Sequence, residues 1–237
     1  MVNVLPLTLT GAVLTRRDKV LVGPVDLTLG ARGITVVIGP NGSGKTSLLR
    51  MMHGLQRVTQ GSVDWAVPDA QARRRQAYVF QQPIALRRSV LANLIYPLRL
   101  HGVPRPQAEA EGRAIAARFG LSGKLAQSAP SLSGGEMQSL ALARALITRP
   151  DVLFADEPCA ALDGQTTRRI EAHLTAAAGA GTRLIMATHD MGQARRLADQ
   201  VIFLLHGRIH EMGDARPFFN GPATPEAAAF LRGDIVD

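Results

Sequence analysis

A lysine and a threonine that close a glycine-punctuated loop can hold a phosphate chain. Gly39-Pro40-Asn41-Gly42-Ser43-Gly44-Lys45-Thr46 has the form G-x-x-x-x-G-K-T, directly after the apolar run Ile34–Ile38 and directly before a helical pattern. The glycines let the backbone fold around an anion with its N–H groups pointing inward. A helix starting near Lys45 aims its positive end at that anion. The Lys45 ammonium can reach the β- and γ-phosphates of a nucleotide, and the Thr46 hydroxyl can ligate Mg²⁺. The expected nucleotide contacts run from Gly39 through Ser47.

Two carboxylates supply the rest of a hydrolytic site. Val152-Leu153-Phe154-Ala155 is an apolar strand pattern ending in Asp156-Glu157. Asp156, at the carboxyl end of its strand, can face the phosphate loop and hold Mg²⁺. Glu157, one residue on, can orient the attacking water or take its proton. A second helix start, Leu132-Ser133-Gly134-Gly135-Glu136, has Ser133 and Glu136 spaced as a capping box. A capping box explains the serine and the glutamate but not the two glycines, which weaken a first turn. Small residues there make a second place where phosphate can approach backbone N–H groups.

These groups need a scaffold that brings strand ends together. Strands are predicted at Leu7–Leu9, Val25–Leu29, Ile34–Ile38, Ser62–Trp65, Ala77–Phe80, Val152–Ala155, Arg183–Ala187 and Val201–Leu205. Helices are predicted at Lys45–Leu55, Val90–Leu100, Gln107–Phe119, Gly135–Thr148, Gln165–Ala178 and Met191–Ala198. Ile34–Ile38, Val152–Ala155 and Arg183–Ala187 are unbroken apolar runs, the mark of parallel strands covered on both faces. The early strands alternate and read as an antiparallel flap. Pro83 to Pro150 shows helical periodicity without a convincing strand. The expected class is α/β: one domain with a mostly parallel sheet, an antiparallel β flap and an inserted helical subdomain. Residues 1–82 and 151–213 form the core with its flap, 83–150 the helical part, and 214–237 a tail of loosely packed short helices.

Composition narrows the function classes. With 237 residues and 46% hydrophobic, the chain can pack a core. No apolar run reaches the roughly 18–20 residues that cross a bilayer, and the first residues lack a signal-peptide pattern. One cysteine, Cys159, excludes an internal disulfide framework and a cysteine metal cluster. Basic residues outnumber acidic ones, 27 to 19, but are scattered apart from Arg73-Arg74-Arg75. Aromatics are only 4%, too few for base-stacking platforms, so nucleic acid is not expected as a partner.

Taken in order, the motifs resemble those of the nucleotide-binding subunit of an ABC (ATP-binding cassette) transporter over nearly the whole chain. Gly39–Thr46 resembles its Walker A loop, and Gln81 in Tyr78-Val79-Phe80-Gln81-Gln82-Pro83 its Q-loop glutamine. Leu132–Glu136 resembles the signature motif, and Val152–Glu157 the Walker B strand with the catalytic glutamate. Ala160-Ala161-Leu162-Asp163 is similar to the D-loop, and His189 in Ala187-Thr188-His189-Asp190 to the switch histidine. The resemblance implies a P-loop NTPase core that hydrolyses ATP with Mg²⁺. Glu157, His189 and Gln81 would be catalytic; Thr46, Gln81 and Asp156 would face the metal. It also implies a head-to-tail dimer in which Ser133, Gly134 and Gly135 of one copy cover the nucleotide of the other.

Two positions depart from the family pattern. Ser139 stands where an arginine is common, which implies a small local packing or ion-pair change. No aromatic stands near Leu14–Arg17, where the family stacks adenine; Arg16 is the substitute, with Arg17 behind it. The chain resembles a prokaryotic importer subunit, at the cytoplasmic face of the inner membrane. It would be bound to separate permease subunits and served indirectly by a solute-binding protein. Ile84, Leu86, Val90, Leu91 and Leu94 are expected to form the permease groove. Met52–Leu55, Asn93–Gly102 and Pro225–Asp234 resemble tungstate-type oxyanion importers, with phosphate and amino-acid importers as close alternatives. The alternative class is a soluble non-transport cassette, such as one of iron–sulfur cluster assembly.

Overall fold

Unbroken apolar runs make strands whose two faces are both covered. The protein is described from a computed structural model, over residues 4–236. Its strands are β1 (Leu7–Arg16), β2 (Lys19–Leu29), β3 (Ile34–Ile38), β4 (Gln60–Trp65), β5 (Gln76–Val79), β6 (Val152–Asp156), β7 (Arg183–Ala187), β8 (Gln200–Leu205) and β9 (Arg208–Asp214). Its helices are α1 (Lys45–His53), α2 (Asp69–Arg74), α3 (Val90–Leu100), α4 (Arg105–Arg118), α5 (Gly134–Leu146), α6 (Gly164–Gly179), α7 (Met191–Leu197), α8 (Ala215–Asn220) and α9 (Pro225–Arg232).

A six-stranded sheet runs in the order β5-β6-β7-β3-β8-β9. All its pairings are parallel except that of β9 with β8. One face, including Val36, Ile38, Leu153, Ala155, Leu184, Met186 and Phe203, packs into the core beneath the helical layer. The other, including Val37, Val152, Phe154, Ile185 and Leu204, packs on α1 and on a three-stranded antiparallel sheet, β2-β1-β4. The period-2 alternation of side chains therefore divides the apolar residues between two cores. No helix among the described residues is long and apolar enough to cross a membrane.

The helical layer is built on α3, α4 and α5, which contact one another. Buried Asn93 ties the start of α3 to the preceding loop: it accepts from the Leu86 N–H at 2.8 Å and donates to the Ser89 carbonyl at 3.0 Å. Val90 and Leu94 are fully buried in this layer, so they are core residues and not the groove lining expected of them.

The flap strands are longer than their alternation suggested, and two elements are additional: α2 and the edge strand β9. The tail is also more closely held than expected. Phe218 and Ala227 are buried, and the Phe230 ring lies 5.2 Å from that of Phe203. Glu211 of β9 accepts from the Ala223 and Thr224 backbone N–H groups, fixing the start of α9.

Candidate functional site

The parallel order places four loops side by side, beyond the carboxyl ends of β5, β6, β7 and β3. That edge is where open α/β sheets bind ligands. Gln81 follows β5, Glu157 follows β6, His189 follows β7, and the phosphate loop follows β3.

The loop's shape depends on glycine at two points. Gly39 has φ of 148°, and a Cβ there would collide with the Leu204 carbonyl oxygen. Gly44, at φ 104°, would place one 2.8 Å from Val22 Cγ2. Gly44 is also the N-cap of α1 and offers no side-chain acceptor, whereas Asp163, Asp190 and Thr224 cap α6, α7 and α9. The first N–H groups of α1 therefore remain available to an anion, with no acidic residue in that turn to oppose it.

Lys45 is buried, and its Nζ donates to the carbonyls of Gly39 at 2.8 Å and Pro40 at 3.0 Å. Burial lowers its pKa, against the opposing pull of Glu157 and Asp156. The Ser43 hydroxyl is buried without a hydrogen-bond partner. A buried ammonium, an unpartnered hydroxyl and an uncapped helix start together fit a polyphosphate. Thr46 Oγ1 donates to Asp156 Oδ1 at 3.0 Å. Burial raises the Asp156 pKa, and the hydrogen bonds from Thr46 and Tyr78 oppose that shift. A hydroxyl and a carboxylate oxygen in contact beside a phosphate loop are donors of the kind that Mg²⁺ takes.

Glu157 sits in the left-handed region, φ 46°, with its N–H held by the Ala187 carbonyl. Its Oε2 accepts from Gln81 Nε2 at 3.0 Å and lies 3.1 Å from His189 Nδ1. Residues 76 and 32 positions away in the chain thus meet on one carboxylate oxygen. His189 is mostly exposed, at 61%, and Glu157 is 14% exposed. The carboxylate is therefore set in the wall while the imidazole faces outward.

Ser133, Gly134 and Gly135 stand on a different helix start, beside Lys124 and α6. Glu136 Oε2 accepts the Ser133 N–H at 3.0 Å, the reach-back half of a capping box. Its other oxygen pairs with Lys124 at 2.7 Å. Lys124 and then the Ser133 N–H pull its pKa down to about 2. The two glycines differ. A Cβ on Gly135 would lie 3.0 Å from Thr166 Cγ2, so packing against α6 accounts for it. A Cβ on Gly134 would meet nothing within 4 Å. Ser139, at the family's arginine position, is buried and donates to the Gly135 carbonyl at 2.9 Å. Asp163, in the stretch that resembles the D-loop, caps α6 by accepting from the Gln165 and Thr166 N–H groups.

Arg16 pairs with Lys19 across a hairpin whose turn residues, Arg17 and Asp18, have positive φ. The second strand of the hairpin, β2, continues into Leu21 and Val22, which pack on Gly44, so the hairpin rises beside the phosphate loop. Arg16 is exposed there, as is Val20 at 52%. Sequence reasoning overlooked Tyr78, whose hydroxyl donates to Asp156 Oδ2 at 3.2 Å. An aromatic in a short strand reads as core.

Beside this site, α2, β5, α3 and α5 frame a half-open pocket of about 230 Å³, lined by Arg73, Tyr78, Ile84, Pro97, His101 and Arg144 among others. Ile84, among the expected groove residues, does line it. Arg144 is held by the Ile84 carbonyl at 2.6 Å, and burial lowers its pKa.

The family model described as ABC transporter matches residues 22–160. A phosphate import ATP-binding protein of Natronomonas pharaonis is 38% identical over 227 residues, covering 86% of this chain and 79% of that one. A tungstate uptake system ATP-binding protein of Peptoclostridium acidaminophilum is 37% identical over 195 residues, covering 81% and 90%. Among solved structures, the ATP-binding cassette MJ0796, a dimer in a post-hydrolysis state with ADP and Pi, superposes with a TM-score of 0.77. That match is 25% identical and covers 89% of this chain and 99% of the other. The chain belongs to the ABC transporter family, and it is an ATPase of that family.

Proposed function

We propose that this chain powers a membrane importer, hydrolysing ATP as a head-to-tail pair with a second copy of itself. The observation that carries the reading is the meeting of Gln81 and His189 on one oxygen of Glu157, at the strand ends beside Lys45. In this reading Gly39–Ser47 cradle the phosphates and Lys45 leaves its own loop carbonyls for the β- and γ-phosphate oxygens. Thr46, Asp156 and Gln81 would hold Mg²⁺, which would supply charge neutralisation at the phosphates. Glu157 orients water and accepts its proton, while Gln81 and His189 fix the carboxylate. Ser133 and Gly134 face the other copy's nucleotide, and Gly135 lets their helix start sit close to α6. Arg16 lies on the adenine.

Separate permease subunits dock at the cavity around Ile84 and Pro97, where apolar and arginine side chains line one recess. In this reading the chain is a peripheral subunit at the cytoplasmic face of the inner membrane, with a solute-binding protein upstream. The solute reading is tungstate or a related oxyanion, supported by relatives named for tungstate and phosphate. Its test is ATP-dependent uptake of tungstate against phosphate and methionine by the reconstituted complex. Methionine uptake without oxyanion uptake would reject it.

Glu157→Gln tests the hydrolytic centre. Hydrolysis should slow by about 10²–10⁴, the scale of a lost acid–base group, while ATP binding persists and an ATP-loaded dimer accumulates. Normal turnover in this variant would reduce Glu157 to a strand-end carboxylate.

A further inference from the structure

Asp156 is 1% exposed, and each of its carboxylate oxygens is met by a hydroxyl from a different element. Thr46 Oγ1 of α1 stands at Oδ1, 3.0 Å away, and Tyr78 Oη of β5 stands at Oδ2, 3.2 Å away. These two contacts differ in kind. Thr46 is assigned above to the metal, so its hydroxyl oxygen would serve the metal as well as Asp156. Tyr78 has no such second duty. Its bond is the one that can hold the plane of the carboxylate throughout.

The ring that carries this hydroxyl is fixed. The edge of His53 meets it at 5.4 Å, Phe80 lies at 4.7 Å, and Phe154, two residues before Asp156, stacks nearly parallel at 6.4 Å. A buried carboxylate with one oxygen unpaired loses both satisfaction and orientation, and groups that orient metal ligands are worth much of the metal's affinity.

We propose that Tyr78 is a positioning residue: its hydroxyl holds Asp156 in the orientation that receives the divalent metal of the nucleotide site. This rests on the reading of Asp156 as metal-facing, and the test separates the two.

The probe is Mn²⁺, titrated in the presence of a non-hydrolysable ATP analogue and followed by the spin-resonance signal of free aqueous Mn²⁺. Tyr78→Phe keeps the ring and deletes the oxygen. Mn²⁺ affinity should fall by about tenfold, the lower end of the range for lost outer-shell partners. Affinity for the analogue in EDTA should stay at the wild-type value. In turnover, kcat should fall at low Mg²⁺ and recover partly as Mg²⁺ is raised, with KM for ATP unchanged at saturating metal. Wild-type Mn²⁺ affinity in Tyr78→Phe overturns the proposal. So does an equal loss of analogue affinity in EDTA, which would mean that the whole loop has moved. Asp156→Asn is the reference. If that variant binds Mn²⁺ as wild type does, the metal assignment itself fails. If it weakens Mn²⁺ and Tyr78→Phe does not, only the role of Tyr78 fails.

Discussion

Substituting each signature glycine with alanine separates a packing role from a ligand-facing one. Gly134→Ala adds a methyl where nothing lies within 4 Å. The exchange relieves the helix of a glycine and stabilises the nucleotide-free chain by up to about 1 kcal/mol, or roughly 2–4 °C in melting temperature for a chain of this size. Gly135→Ala places its methyl 3.0 Å from Thr166 Cγ2. Thr166 cannot turn away cheaply, since its Oγ1 donates to Asp163 Oδ2 at 2.7 Å. The overpacking costs about 1–3 kcal/mol and outweighs the gain in propensity, so this variant melts lower. ATPase activity should run against stability. If the Gly134 backbone meets a phosphate of the other copy, the methyl displaces a hydrogen bond to a charged group. That loss is worth about 1.5–3 kcal/mol, or about ten- to a hundredfold in rate. Thermal melts without nucleotide and steady-state ATPase, measured on the same preparations, are the assay. A Gly134→Ala protein that melts at or above wild type and hydrolyses at the wild-type rate refutes the reasoning: its glycine would then serve no nucleotide.

The remaining predictions concern sharing, the base and pH. Ser133→Arg should lose ATPase activity while its monomer keeps full ATP affinity; mixed with Lys45→Ala, each hybrid dimer regains one site free of both substitutions and activity returns. No recovery on mixing would confine Ser133 to its capping box. Arg16→Ala should weaken ATP binding by roughly tenfold, the scale of about 1–3 kcal/mol for a stacked base, and Arg16→Tyr should restore it; an unchanged ATP titration for Arg16→Ala rejects the arginine stack. The Glu136 pKa, drawn down to about 2 from 4.5 chiefly by Lys124, implies stability that is complete above about pH 4.5 and lost as pH falls toward 2. The melting-temperature gap between wild type and Glu136→Gln should therefore be widest near neutral pH and close through that window. A gap independent of pH would show that the carboxylate's charge is not what matters.

How much of this was legible in the sequence depended on whether the signal was local. Ile34–Ile38, Arg183–Ala187 and Val90–Leu100 came out to the residue, because burial on both strand faces and a steady helical period leave little ambiguity. β9 was missed because Arg208-Ile209-His210-Glu211-Met212-Gly213-Asp214 carries charge on a half-exposed edge. α2 was missed because six residues bury only Ala72. β1 looked short because register shifts after Leu9 break its alternation. At the site, the strand–loop–helix frame exposed Lys45, Thr46, Asp156 and Glu157. The meeting of Gln81 and His189 on Glu157 came from family resemblance, since strand order is a tertiary fact that spacing does not carry. The differing reasons for Gly134 and Gly135 needed Thr166 in place.

The two margins of the six-stranded sheet have a consequence for assembly. A free sheet edge is a template for another chain's backbone. Here one edge is β5, four residues long and preceded by Arg73-Arg74-Arg75. The other is β9, which sets exposed Arg208, His210 and Asp214 along its length. The four-residue length of β5, and the charged Arg208 and Asp214 at the two ends of β9, make these edges poor surfaces for strand addition. When many copies crowd together as they fold, growth of one sheet into the next is blocked at either side. Contact between copies is left to faces whose geometry closes rather than propagates.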